Sequence, residues 1–128
     1  MSGIERFGSG GRWEAAYGYS RAVRAGDFVF VAGCTGVDAS GEVVSGGAAA
    51  QMRQACANVE AALAQAGASL EQVVQTRMFV RDINFADEVG TAHGEIFGPA
   101  APVSTMVEVS WLIDQRMLVE VEAVAFVG

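Results

Sequence analysis

Lysine is absent from the 128-residue sequence, and its eight basic residues are all arginines: Arg6, Arg12, Arg21, Arg24, Arg53, Arg77, Arg81 and Arg116. They stand singly, against 15 acidic residues and a net charge of −7. A nucleic-acid interface needs a basic face that releases counterions, so DNA recognition is not expected. An anionic membrane surface would be repelled for the same reason. No apolar run approaches the ~18 residues that cross a bilayer. The first residues, MSGIERFGSGGRWE, carry no apolar stretch of the kind that directs export, so a cytoplasmic protein is expected.

Cysteine and histidine are equally scarce. Cys34 and Cys56 do not make a disulfide framework, and His93 is the single histidine. Without a CxxC or HxxxH pattern no metal site or other cofactor is expected. Only two prolines occur, Pro99 and Pro102, and they mark one break in the chain.

Apolar and small residues are abundant instead. With glycine counted and tyrosine set aside they make up about 63% of the chain, against ~45–50% in ordinary domains. At this length residues 1–128 form a single domain. Its apolar excess points to an obligate oligomer, whose interface resembles a core cut in half.

Hydrophobic periodicity orders the elements. Residues 1–15 are glycine-rich and read as irregular. Residues 19–23 and 28–32 read as two strands joined by a tight turn at Gly26. Residues 33–47 read as a loop with a short strand near Val43. Ala48, Met52, Ala55, Cys56, Val59, Ala62, Leu63 and Ala66 recur at helical spacing, and Gly67 suits the helix end. Ser69 and Gln72 fit a capping box. Residues 73–82 read as a strand with Val74, Thr76, Met78 and Val80 on one face. A weaker helix over 84–97 and strands over 105–111 and 117–127 complete the chain. This predicts an α+β domain with one mixed sheet, both helices on one face, and the other face bare.

The last strand carries the oddest feature. Leu118, Glu120, Glu122, Val124 and Phe126 alternate onto one face, which puts two carboxylates ~7 Å apart on an apolar surface. Desolvation and mutual repulsion raise such pKa values, and perturbed carboxylates mark functional sites. An ion pair with arginine is the plainer reading. Glu108 reads as a solvated residue of the preceding strand. Cys34, at a glycine-flanked strand end, is a possible nucleophile, with no basic cluster near it in sequence to lower its pKa. Cys56 reads as core and His93 as a surface or interface residue.

Several segments together resemble one family. Residues 16–23 and 28–33 are similar to the N-terminal hairpin of the RidA/YjgF family, also called endoribonuclease L-PSP. Residues 58–67 and 73–84 resemble its first helix and following strand, and residues 102–109 and 118–125 its C-terminal signature. The resemblance implies a chorismate-mutase-like fold, a homotrimer whose sheets pack into a central barrel, and ligand clefts between subunits. It implies a small-molecule substrate and hydrolysis of an imine or enamine (a deaminase-type reaction). Position by position, the water-holding glutamate matches Glu120, the cleft tyrosine Tyr19, and the loop after the buried strand Gly33 and Cys34. The family's carboxylate-anchoring arginine falls on Ser104, so a simple 2-imino acid is expected to bind poorly, because a charged two-pronged partner is lost. Arg21, on the strand face of Tyr19, is the candidate substitute. A non-catalytic small-molecule-binding or proteostatic protein on the same scaffold is the alternative, and RNA cleavage is disfavoured by the charge.

Overall fold

The computed structural model describes residues 3–128. Its six strands form one mixed sheet in the order β1-β2-β3-β6-β4-β5. The strands are β1 (Ile4–Phe7), β2 (Ala22–Ala25), β3 (Phe28–Thr35), β4 (Val73–Val80), β5 (Val103–Glu108) and β6 (Val119–Phe126). Every pairing is antiparallel except β4 with β5, which run parallel in the register Thr76 to Ser104. The helices are α1 (Arg12–Tyr17), α2 (Gly47–Gln65) and α3 (Ala86–Phe97). The expected α+β architecture is present, with α2 against β3 and β6 and α3 against α2.

The helical stripe read from the sequence is the core stripe. Ala48, Met52, Ala55, Cys56, Val59, Ala62 and Leu63 are buried against Val29, Val31, Val119, Val121 and Ala123. Small side chains let α2 approach the sheet closely, and a Cβ placed on Gly36 would stand 2.8 Å from Gln51 Cα. The buried Gln51 also fixes the entry into β6. Its amide nitrogen donates to the Arg116 carbonyl at 3.0 Å, and its oxygen accepts from the Leu118 amide at 2.8 Å. Gln51→Leu keeps the volume but strands both groups. We expect it to cost about 1–3 kcal/mol, seen as a lower urea midpoint with an unchanged slope.

The opposite face of the sheet is uncovered in the single chain. Phe28, Phe30 and Phe126 lie on it, each over 40% exposed, with Phe28 at 5.1 Å from Phe126 and 6.3 Å from Phe30 between ring centroids. Glu122 shares this face and pairs with Arg77 at 3.1 Å.

Three local expectations need correction. Of residues 1–15, Met1 and Ser2 lie outside the described residues, and the rest are not irregular throughout: β1 adds to the edge of β2, and α1 follows, closed by Gly18 at φ 74°. Glycines on both sides masked these short elements, which are held by tertiary contacts rather than by their own periodicity. Val74 is exposed rather than buried with Thr76, because the β4–β6 register shifts between Val73 and Gln75. Cys34 belongs to β3 and is buried, not placed on a loop. Glu108 is exposed, as expected, and its carboxylate also accepts from the Ile83 amide at 3.0 Å.

Candidate functional site

A cavity of about 640 Å³ opens where the end of β3, the start of β6 and the segment before β2 meet. Tyr19, Arg21, Gly33, Cys34 and Glu120 all line it. These residues are brought together by local sequence choices. A bulge between Val31 and Cys34 turns β3 as it passes β6, and Glu120 pairs across from Thr35 on one side and Phe79 on the other. Alternation along β6 then sends Val119 and Val121 into the core and Glu120 to the other face.

The Glu120 carboxylate lies directly over Gly33. A Cβ at that glycine would stand 2.6 Å from Oε1, so the missing side chain is the space the carboxylate occupies. Burial pushes the Glu120 pKa above the usual carboxylate range; Arg21 draws it down and Glu122 adds to the rise.

Arg21 is the hub of the cavity wall. Its Nη1 donates to the Gly33 carbonyl at 2.7 Å and to the Ala32 carbonyl at 3.3 Å, and lies 3.5 Å from Cys34 Sγ. Its Nε stands 3.5 Å from the Glu14 carboxylate, and its Nη2 reaches the Tyr19 hydroxyl at 3.5 Å. Burial alone would raise the Glu14 pKa, but the Ser9 hydroxyl and amide, with Arg21, hold it below the usual range. Most of the Arg21 fork is therefore occupied by the protein itself. A cation does flank Cys34, one that sequence proximity did not reveal. Burial nevertheless outweighs it and pushes the thiol pKa up, which suits a packed residue rather than a nucleophile.

Ser104 is elsewhere. It sits on the edge strand β5, exposed, and does not line this cavity in the single chain. Its hydroxyl accepts from Thr76 at 2.8 Å, and Thr76 Oγ1 stands 2.7 Å from His93 Nε2. His93 is half-buried against Phe97 and not a simple surface residue.

The sequence reading did not anticipate the contribution of residues 9–14. Ser9 and Glu14 brace Arg21, while Arg12, 4.5 Å above the Trp13 ring, lines the cavity together with that ring. The available signal was Trp13-Glu14, bulky and charged residues closing a glycine run. Arg116 also lines the cavity, but Asp114 holds its fork on two sides.

Fold and site together define a small α+β domain that sets a carboxylate of its last strand into a ligand-sized cavity. The chain belongs to the endoribonuclease L-PSP family, the RidA/YjgF family, whose model matches residues 10–127. An uncharacterized Streptomyces coelicolor protein is 38% identical over 98% of this chain and 93% of its own length. The human 2-iminobutanoate/2-iminopropanoate deaminase is 33% identical over 86% of this chain and 80% of its own. Among solved structures, a YjgF/YER057c/UK114 family member from Mycobacterium tuberculosis superposes with a TM-score of 0.87 at 49% identity. That match covers 97% of this chain and 99% of the other. YjgF of Escherichia coli gives 0.79 at 31% identity, over 84% and 87%.

Proposed function

We propose that this protein hydrolyses an imine or enamine other than a simple 2-imino acid, with Glu120 holding and deprotonating the attacking water. The observation that carries the reading is the Glu120 carboxylate, half-buried over Gly33 in a cavity it shares with Tyr19 and Arg21. A carboxylate whose pKa is raised toward neutrality is a better base for water than an exposed one. Attack of water on the C=N carbon gives a carbinolamine, and its collapse releases ammonia and leaves a carbonyl. Human and bovine relatives carry names for this deaminase chemistry on 2-iminobutanoate and 2-iminopropanoate. Ser104 in place of a cation is the reason for excluding small 2-imino acids as the main substrate.

The uncovered face bearing Phe28, Phe30 and Phe126 supports assembly into a homotrimer, with the clefts completed between copies. Among the described residues no helix is long and apolar enough to cross a membrane, and we place the protein in the cytoplasm. Among the described residues four arginines are already in ion pairs, which argues against an RNA-cleaving role.

The test is ammonia release from freshly generated imines, comparing 2-imino acids with neutral and bulkier imines and using Glu120→Ala as control. Turnover of a neutral imine that requires Glu120 is expected. The lost cation at Ser104 favours a second reading, a non-catalytic small-molecule binder. Ligand-induced rises in melting temperature without turnover, unchanged in Glu120→Gln, would select it.

A further inference from the structure

Thr76, His93 and Ser104 form a connected side-chain chain outside the Glu120 cavity, joining the core to the exposed edge strand. Thr76 is 1% exposed, and its hydroxyl has partners on both sides. A hydroxyl carries a single proton. Thr76 gives its proton to Ser104 Oγ at 2.8 Å, so at 2.7 Å it accepts from Nε2–H of His93. Ser104 then accepts from inside, and its own O–H is left to point out of the sheet edge. Packing alone does not ask for this arrangement. Valine has the shape of threonine and suits a buried strand position at least as well.

We propose that His93 and Thr76 are positioning residues that fix Ser104 as a single outward donor for an uncharged carbonyl group of the substrate. The proposal rests on the function proposed above: Ser104 stands where the family's carboxylate-anchoring arginine falls, and it reaches the cleft only when a second copy of the chain completes that cleft. An arginine at that position would present a charged fork matched to a carboxylate. A hydroxyl presents one neutral donor, strengthened because each bond in the chain polarises the next. Such a donor suits an amide or ester oxygen. The substrate class is therefore an imine beside a neutral carbonyl.

The test uses 2-iminopropanamide and 2-iminopropanoate as a matched pair, with pyruvamide and pyruvate as stable binding probes. Wild-type protein is expected to favour the amide by roughly tenfold in kcat/KM, about the value of one hydrogen bond. Thr76→Val should raise KM for the amide by a similar factor with little change in kcat, and Thr76→Ser should restore it. In a Ser104→Ala background, Thr76→Val should have no further effect. Additive effects in the double variant would mean that Thr76 and His93 only staple α3 to β4, which overturns the proposal. His93 is the only histidine, so its ring nitrogens can be read without ambiguity by nitrogen NMR. A neutral ring protonated at Nε2 is expected, with signals that move on adding pyruvamide but not in Ser104→Ala. A ring protonated at Nδ1, or no response to pyruvamide, overturns the proposal. This readout does not depend on turnover. A protein that hydrolyses neither imine yet shows the pyruvamide response would overturn the hydrolase reading and keep the proposal.

Discussion

Replacing Glu120 by glutamine is expected to remove turnover and stabilise the fold in one step. A positioned general base contributes about 10²–10⁴-fold to rate, and glutamine cannot take a proton from water, so kcat should fall by that factor. Burial has already raised the Glu120 pKa above its ordinary value of 4.5. A carboxyl whose folded pKa exceeds its unfolded pKa favours the folded state while protonated. That contribution is full below the unfolded pKa and is lost as pH rises through the folded one. At pH 7–8 the native chain therefore holds a carboxylate the fold disfavours, and glutamine relieves it. Melting curves should show Glu120→Gln above wild type at neutral pH, with the gap closing as pH falls toward ~4. The same titration should give wild-type kcat/KM an acid limb displaced upward from an ordinary carboxylate. Glu120→Gln retaining most of its turnover would end the general-base assignment.

Alanine at Gly33 and at Gly36 should separate function from stability, although the two sites are three residues apart. At Gly33 the three atoms nearest an added Cβ all belong to the Glu120 side chain: Oε1 at 2.6 Å, Cδ at 2.7 Å and Cγ at 2.9 Å. The end of a flexible side chain can swing aside, so the fold survives, but the carboxylate leaves its place. A displacement of about 1 Å at reacting groups costs on the order of 10²-fold in rate, and that loss is expected for Gly33→Ala with a nearly unchanged urea midpoint. At Gly36 the Cβ meets Gln51 Cα and Cβ, both at 2.8 Å. A helix backbone cannot swing aside, so α2 must lift from the sheet. Gly36→Ala should cost about 1–3 kcal/mol or more, as overpacking does, and Gln51 should lose its hold on the start of β6. A Gly33→Ala protein that unfolds readily, or a Gly36→Ala protein that does not, would show that the contacts are softer than the geometry states.

Whatever rests on period was legible in the sequence. The α2 stripe and the alternation of β6 follow from side-chain geometry alone, and Gln72 closing on the Ser69 amide at 3.0 Å follows from a local spacing rule. Features made by distant pairing were not legible. Val74 leaves its expected face because of a shift against β6, which no local pattern encodes. Cys34 acquires a cation from the segment that enters β2, through Arg21, thirteen positions earlier. Glu14 is buried among Ser9, Gly11 and Arg21, in a segment tied to α2 where Gln65 donates to the Gly8 carbonyl at 3.2 Å. Tyr19, Arg21, Gly33, Cys34 and Glu120 could be picked from sequence because they fall in aligned signature segments. Thr76 and His93 could not, since a strand threonine and a lone helix histidine have no spacing that announces a bond between them.

The two cysteines have a practical consequence. Both are buried, with the Cys56 pKa pushed up to about 12, first by burial and then by Cys34, and the Cys34 pKa also raised. Neither offers thiolate to a maleimide at neutral pH. A cysteine introduced at the exposed Glu60, on the outer side of α2, would be the fast-reacting thiol of the chain. One dye per chain could then be attached to the folded protein without touching the phenylalanine-bearing face. Mixing donor-labelled and acceptor-labelled chains would let the number of copies in an assembly be counted by energy transfer, one molecule at a time.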